Sequence, residues 1–220
     1  MRHFDDIYTL AADRHGGPAA LEATLTPPLG VAELAAIPED RWLANLTKCV
    51  FQAGFNWKVI EAKWDGFETA FDGFDVGRCA FMDDEKFDAL LQDTSIVRNG
   101  MKIATVRDNA AFLLELRDQG GAGVVLGGWP SQDYIGLLDL LKTRGSRLGG
   151  STAQYAMRFS GRDSFILSRD VTARLIAEGV IDKPASSKTA MRAVQAAFNT
   201  WSEQSGRSLT EISRVLAMSV

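Results

Sequence analysis

Apolar residues recur along nearly the whole chain at spacings of three and four positions, and no segment alternates apolar and polar residues with a period of two. The first spacing is that of one face of an α-helix, whereas the second would indicate a β-strand. A typical stretch begins at Pro38, ends at Gly54 and places five residues on one helical face: Trp42, Leu46, Cys49, Val50 and Ala53. The pattern predicts an all-α fold.

Capping residues and glycines divide the rest of the chain into further helices. Asn56 is expected to cap a helix that breaks at Asp65-Gly66, and Ser131 to cap one that ends at Gly145. Ser208 with Glu211 has the spacing of a capping box. The glycine-rich stretch 120–130 is expected to be an irregular connector, because its glycine spacing does not match a dinucleotide loop.

The composition is that of an ordinary folded protein, with 220 residues of which 46% are hydrophobic and 24% charged. This length supports one large core or two small lobes, and no linker is evident. We therefore predict a compact, two-lobed helical bundle that forms a single domain over 1–220. No apolar run reaches the roughly 18 residues of a membrane span. We expect a monomeric cytoplasmic protein with no membrane partner.

Charge is unevenly distributed along the chain, whose net charge is −4. Residues 1–97 carry a net −9, whereas residues 142–174 carry +5. The overall balance excludes a protein that coats nucleic acid by bulk positive charge. The basic segment 142–174 is where a polyanion would bind.

Cysteine and histidine are scarce, and the whole supply is Cys49, Cys79, His3 and His15. Two cysteines do not make a disulfide framework, so a reducing compartment is expected. Because no Cys or His follows Cys79, the usual ligands cannot form a zinc site that joins the two ends of the chain. We expect no metal and no cofactor.

One candidate site is a helical hairpin, Leu137–Arg158, in which a tight turn through Leu148, Gly149 and Gly150 leads to a helix that starts at Ser151 or Thr152. Glycines let a ligand approach the backbone, and the free N–H groups of a turn and a helix start form an anion site. The basic residues beside the turn are Lys142, Arg144 and Arg147. A nucleic-acid phosphate would fit here; a plain helical corner with solvated arginines remains the alternative.

A second candidate site lies where one helix ends at Gly54 and the next starts at Trp57 after a turn through Phe55 and Asn56. We call Gly54–Asn56 the elbow. Aromatic residues at an elbow can stack on an extruded base or fill the gap that it leaves. The alternative is that Phe55 and Trp57 are buried core residues.

Three sequence blocks carry a resemblance to a known family. FQAGFNW (51–57) is similar to the Gln-Ala-Gly-Leu-Ser-Trp signature of bacterial DNA-3-methyladenine glycosylase I, and LLQDTSIVRNGMKIATVRDNA (90–110) resembles a second block of that family. LGGSTA (148–153) resembles, without its proline, the turn of helix-hairpin-helix DNA glycosylases. The blocks stand in the family's order between residues 46 and 158, with the helix-hairpin-helix at about 132–159.

The resemblance implies a role for each matching residue. Trp57 would stack on a flipped base, Gly54 and Phe55 would be pressed into the DNA stack, and Gln52 and Asn56 would lie at the mouth of the pocket. The hairpin would bind phosphate through Gly149, Gly150, Ser151 and Thr152. A tryptophan face attracts a cationic, alkylated base more than neutral adenine.

The chain departs from this family in two places. Cys49 occupies the position of the pocket glutamate, and a thiol cannot replace a carboxylate as the acceptor for an amino group. The Cys and His census also leaves no ligands for the family's zinc clasp. The chain therefore resembles a divergent member.

A catalytic carboxylate is harder to assign. Related helix-hairpin-helix glycosylases carry an Asp after the hairpin, and in FILSRDVTARL (165–175) that position is Ser168, with Asp170 two residues later. Asp170 is the candidate for stabilising an oxocarbenium ion or activating water. The alternative is that Ser168 caps a helix and Asp170 complements its dipole.

The sequence thus indicates a monofunctional DNA glycosylase of a bacterial cytoplasm, used at the nucleoid, that excises an alkylated base, 3-methyladenine first, from double-stranded DNA. A non-catalytic relative that grips distorted duplex is the alternative. A helical protein-binding module would leave the basic segment and the aromatic elbow without a common purpose. Motifs of other chemistries, such as a P-loop or a GxSxG elbow, are absent.

Overall fold

Helices are the regular elements of the computed structural model, which describes Met1–Val220 and contains no β-strand. The prediction of an all-α fold is confirmed. The fourteen α-helices are α1 (Phe4–Arg14), α2 (Pro18–Glu22), α3 (Val31–Ala35), α4 (Glu39–Gln52), α5 (Trp57–Ala62), α6 (Trp64–Ala70), α7 (Val76–Ala80), α8 (Asp84–Gln92), α9 (Gly100–Glu115), α10 (Tyr134–Arg144), α11 (Ser151–Phe159), α12 (Arg169–Ala177), α13 (Lys188–Ser205) and α14 (Leu209–Met218). None of these helices is both long and apolar enough to cross a membrane.

The chain divides into two compact units. The terminal unit comprises Met1–Leu29, Pro130–Gly136 and Gly161–Val220, and the central unit comprises Gly30–Trp129 and Leu137–Ser160. The central unit contains the elbow and the hairpin, whereas the terminal unit is built from both ends of the chain.

In the terminal unit, α1 packs against α13 and α14 and buries Phe4 and Ile7. The indole Nε1 of Trp201 donates to the carbonyl oxygen of Arg2 at 3.2 Å, and His15 Nε2 lies 2.9 Å from the carbonyl oxygen of Met218. The two ends are therefore joined by apolar packing and hydrogen bonds. No group of three or more His, Cys, Asp or Glu side chains could hold a metal ion, so the side chains present do not fit a zinc clasp.

Two cations of the basic segment 142–174 are internal to the terminal unit. Arg174 is buried, pairs with Glu178 at 3.2 Å and donates from Nε to Ser219 Oγ at 2.7 Å. Arg162 is buried as well and donates from Nη1 to Ser131 Oγ at 3.1 Å. These arginines hold the unit together and do not form an exposed basic face. The expected cap at Ser131 is wrong, because Ser131 begins a short 3₁₀ turn, Ser131–Asp133, and α10 begins only at Tyr134.

In the central unit, α4 and α7 pack against α9. Trp64 stacks on Phe67 and Phe74, with ring centroids 5.5 and 5.4 Å apart. The helix after Asn56 does not break at Asp65-Gly66 as expected; it breaks at Lys63, and α6 runs through Gly66. A Cβ atom on Gly66 would lie 2.5 Å from the carbonyl oxygen of Ser95, so this glycine permits a close approach and does not end a helix.

The connector 120–130 contains one π-helical turn, Gly123–Gly127, which packs on α3. A Cβ atom on Gly123 would lie 2.7 Å from the carbonyl oxygen of Leu34. The glycines of this connector therefore serve close packing. A smaller correction concerns Ala53, which is exposed and not on the buried face of α4.

Candidate functional site

The elbow is a tight turn between α4 and α5. Gly54 has φ +66°, in the left-handed region that favours glycine, and the N–H of Phe55 donates to the carbonyl oxygen of Gln52 at 3.1 Å. Asn56 caps α5 as predicted, because its Oδ1 accepts from the N–H of Lys58 at 3.0 Å. The turn leaves Phe55 45% exposed.

A buried lysine of α9 braces the elbow. Lys102 Nζ donates to the carbonyl oxygens of Phe51 at 3.1 Å and Ala53 at 2.8 Å, and lies 6.0 Å from the centre of the Phe55 ring. These carbonyls are at the C-terminus of α4, where the helix dipole favours a cation. Burial lowers the pKa of Lys102, and the nearby positive charge of Arg147 lowers it further.

Trp57 stands at the surface, held by two aromatic rings of α11. Its ring is edge-to-face with Tyr155, centroids 5.3 Å apart, and with Phe159, centroids 5.9 Å apart. Trp57 is 41% exposed, so neither it nor Phe55 is a core residue. The two contacts fix the orientation of the indole and leave part of it open to a ligand.

Cys49 and Gln52 lie one turn apart on α4 and are both buried. The Sγ of Cys49 is 3.9 Å from Asn45 Oδ1, and burial raises the pKa of this thiol to about 12, so it is neutral at physiological pH. Gln52 donates from Nε2 to Glu61 Oε1 at 3.1 Å, and its Oε1 has no hydrogen-bond partner. Asn45 Nδ2 donates to the carbonyl oxygen of Ala156 at 2.7 Å, which ties α4 to α11.

The hairpin has the predicted turn. α11 starts at Ser151 after Gly150, which has φ +58°, and no side chain caps this helix. Asn109 of α9 clamps the turn: its Oδ1 accepts from the N–H of Ser146 at 2.7 Å and its Nδ2 donates to the carbonyl oxygen of the same residue at 3.1 Å. Arg147 has φ +57°, a conformation that costs free energy for any residue with a Cβ atom.

The three basic residues beside the turn are not equivalent. Arg144 forms an ion pair with Glu115. Lys142 and Arg147 are exposed, and Arg147 Nη2 lies 3.5 Å from the Sδ of Met101. Lys142 and Arg147 are therefore the cations most available to an anion.

Asp170 belongs to the terminal unit, where it is exposed in the first turn of α12. Ser168 caps this helix, accepting from the N–H of Val171 at 3.2 Å. The capping interpretation of Ser168 is confirmed, and the catalytic role of Asp170 stays a prediction.

The structure brings most of the predicted residues together in the central unit. Gln52, Gly54, Phe55, Asn56 and Trp57 form one continuous turn, with Cys49 one helical turn before it. The glycine turn of the hairpin belongs to the same unit, and α9 contacts both turns, through Lys102 and Asn109.

Four residues of the site were not identified from the sequence, namely Lys102, Asn109, Tyr155 and Phe159. Tyr155 and Phe159 are four positions apart on one helix, which is a usable signal for a shared face. Lys102 and Asn109 lie inside the second resembling block, but their partners are distant in sequence. Their roles depend on tertiary contacts that no local pattern contains.

Comparison with known proteins finds matches over this region. The family model for methyladenine glycosylase matches residues 37–124. DNA-3-methyladenine glycosylase 1 of Escherichia coli (strain K12) is 32% identical over 69 residues, which are 31% of this chain and 37% of that protein. The alignment thus spans little more than a third of the length of the curated relative.

Solved structures are similar as well. A variant of 3-methyladenine DNA glycosylase I in complex with 3-methyladenine has a TM-score of 0.52 at 18% identity, over 70% of this chain and 91% of that one. A crystal structure of 3-methyladenine DNA glycosylase I has a TM-score of 0.47 at 23% identity, over 65% of this chain and 86% of that one. At 18% identity, the first of these likenesses is one of fold.

Proposed function

Because residues 37–124 match the family model for methyladenine glycosylase, we propose that the chain is a DNA repair glycosylase that flips an alkylated base out of duplex DNA and hydrolyses its N-glycosidic bond. The substrate that we propose is 3-methyladenine. We also propose that 1–220 acts as a single glycosylase-like domain with a helix-hairpin-helix at about 132–159, as a cytoplasmic, nucleoid-associated monomer.

The observation that carries the proposal is the exposed, fixed ring of Trp57 next to the elbow. A flipped base needs a flat surface that is already in place, because ordering a mobile side chain would weaken binding. N3-methylation makes adenine cationic, and the face of an indole attracts a cation by about 0.5–2 kcal/mol. Trp57 would thus favour the lesion over the normal base.

The hairpin supports a duplex as the ligand. The uncapped start of α11 offers backbone N–H groups to a phosphate, with Lys142 and Arg147 nearby. Since α9 contacts both the elbow and the hairpin turn, it holds the proposed DNA wedge and the proposed phosphate site at a fixed separation.

The proposed reaction places modest demands on the protein. The positive charge of 3-methyladenine already weakens the bond to the sugar, so the base departs as a neutral molecule when water adds to the sugar carbon. In this scheme Trp57 holds the base, and a carboxylate, for which Asp170 is the candidate, stabilises the cationic sugar or accepts a proton from water.

Release of 3-methyladenine from methylated duplex DNA tests the proposal. We expect Trp57→Ala to abolish excision, because the platform is removed, and Trp57→Phe to retain part of it. Thermal unfolding followed by circular dichroism should show that Trp57→Ala remains folded, since the two lost ring contacts account for only about 1–3 kcal/mol. Undiminished release by Trp57→Ala would remove Trp57 as the base platform.

Asp170→Asn tests the carboxylate. We expect the single-turnover rate of base release to fall about 100-fold while binding of lesion DNA is retained, because a general base typically contributes at least that factor. Asp182→Asn, at another carboxylate of the terminal unit, is the control and should behave like the wild type. Full activity of Asp170→Asn would end its assignment.

A non-catalytic, DNA-binding relative is the second candidate, and the neutral thiol of Cys49 in place of a carboxylate favours it. Tight, salt-sensitive binding of lesion duplex without release of any base from a panel of alkylated and deaminated substrates would establish it. Absence of duplex binding at low salt would contradict both candidates.

A further inference from the structure

Met101, in the first turn of α9, is an exposed apolar residue between the two turns of the site. Met101 is 67% exposed, although the next two residues of the helix, Lys102 and Ile103, are buried. Exposed apolar residues that stand alone are common on proteins, so exposure by itself indicates nothing. The position of Met101 is what distinguishes it.

On one side of Met101 is the elbow. Lys102, the next residue, donates to the carbonyl oxygen of Ala53 at 2.8 Å and lies 6.0 Å from the centre of the Phe55 ring. The start of α9 is therefore fixed against the backbone that presents Phe55. Both Phe55 and Met101 are exposed, whereas Lys102, which joins α9 to the elbow, is buried.

On the other side of Met101 is the hairpin turn. Arg147, which has a positive φ in this turn, contacts Met101 with its Nη2 atom 3.5 Å from Sδ. Arg147 itself remains exposed. A cation that rests on a thioether at the edge of an anion-binding turn can contact a phosphate and the apolar side chain at once.

We propose that Met101 is a second intercalating side chain, which enters the base stack of a duplex next to the step that Phe55 fills while Arg147 contacts the adjoining phosphate. This inference rests on the proposed function. Proteins that kink DNA insert apolar side chains, methionine among them, between base pairs. The unbranched, flexible side chain of methionine suits a gap whose shape varies with sequence.

Two side chains that enter neighbouring steps would act differently from one. Phe55 alone would occupy the space that the flipped nucleotide leaves. Met101 would unstack the adjacent step, so that the kink is maintained whether or not the pocket is filled. The chain would then recognise easily unstacked steps before it finds the lesion.

The experiment uses the full chain and two duplexes that contain a tetrahydrofuran abasic analogue. One duplex carries 2-aminopurine on the 5′ side of the analogue and the other carries it on the 3′ side, and the fluorescence of 2-aminopurine rises when the base is unstacked. We expect the wild type to raise the fluorescence on one side of the analogue, Met101→Ala to lose that rise and bind about tenfold more weakly, and Met101→Leu to retain both. Phe81→Ala, which removes an aromatic side chain 83% exposed on the same unit, is the matched control and should behave like the wild type.

The outcomes separate this inference from the proposed function. Absence of duplex binding by the wild type would overturn both. Base release by the wild type together with wild-type behaviour of Met101→Ala would overturn this inference alone. Weaker binding by Met101→Ala with an unchanged fluorescence rise would show a groove contact and no insertion. Equal losses of binding and of the fluorescence rise in Met101→Leu and Met101→Ala would assign the effect to the sulfur contact with Arg147. Either result would overturn the insertion.

Discussion

Cys49 occupies the position at which the resembling family has its pocket glutamate. Burial keeps its thiol neutral, and its polar contact is with Asn45 at 3.9 Å. A neutral thiol neither attracts a cationic base by charge nor accepts a strong hydrogen bond from an amino group. In this chain, discrimination between a methylated and a normal base would therefore depend mainly on Trp57.

Cys49→Glu should raise the rate of 3-methyladenine release about tenfold, because a hydrogen bond to a charged group contributes about 1.5–3 kcal/mol. The larger, ionisable side chain should also lower the free energy of unfolding by about 1–3 kcal/mol, since the position is tightly packed. Single-turnover release and urea unfolding measure the two effects.

Cys49→Gln is the control for this change, because it adds similar volume and an acceptor without a charge. It should destabilise the protein to a similar degree and leave the rate of release low. If Cys49→Glu releases 3-methyladenine no faster than Cys49→Gln, the missing carboxylate is not what limits this chain.

At the scale of elements, helices and caps were predictable where the information is local. Asn56, Ser168 and the Ser208–Glu211 capping box all form as their spacing indicates. Prediction was wrong at Gly66, which is required by the nearby carbonyl oxygen of Ser95, and at Ser131, which begins a 3₁₀ turn and not α10.

The candidate site was likewise predictable from the sequence only in part. The elbow and the glycine turn could be located from short motifs, because each is continuous in sequence. The supports of Trp57 could not, because Tyr155 and Phe159 lie about a hundred positions away on α11. The same holds for Lys102, whose partners are the carbonyl oxygens of Phe51 and Ala53.

The positive φ of Arg147 destabilises the hairpin turn. One substitution can separate this backbone effect from the proposed contact between Arg147 and phosphate. Arg147→Gly should leave the free energy of unfolding within about 1 kcal/mol of the wild type, because glycine adopts φ +57° without strain. Binding of duplex DNA should weaken, and the slope of log affinity against log salt should fall by about one. Fluorescence anisotropy over a salt series measures both.

The control is Arg144→Ala. Alanine is used there because Arg144 lies within α10, where a glycine would destabilise the helix. Its ion pair with Glu115 already offsets its charge, and the salt slope should change less than in Arg147→Gly. Wild-type affinity and slope in Arg147→Gly would show that this residue does not contact phosphate.

At the scale of the whole molecule, charge along the sequence is a poor guide to charge at the surface. The segment 142–174 has a net +5, but Arg162 and Arg174 are buried within the terminal unit and Arg144 is paired. The cations left for a polyanion are few and are concentrated at the hairpin turn. An acidic remainder would limit nonspecific binding and leave affinity to this one face.

The buried ion pair of Arg174 and Glu178 is expected to stabilise the terminal unit. Glu178 also accepts a hydrogen bond from the N–H of Arg2 at 2.9 Å. Glu178→Ala should lower the free energy of unfolding by about 3–5 kcal/mol, because it leaves the guanidinium buried without a carboxylate. The double variant Arg174→Met/Glu178→Leu should recover much of this loss. Urea unfolding followed by circular dichroism measures it, and a loss in Glu178→Ala below about 1 kcal/mol would contradict the structural role.

The joining of the two ends has a consequence for how the protein is made. His15 and Met218, which meet in the terminal unit, are 203 positions apart, and α1 packs on a helix that begins only at Leu209. On the ribosome, α1 is therefore synthesised long before α13 and α14 exist, and until then its apolar face, with Phe4 and Ile7, lacks both of these helices. A nascent chain that stalls before α14 leaves part of this face open to chaperones and proteases, so the synthesis of α14 becomes the step that completes the protection of α1.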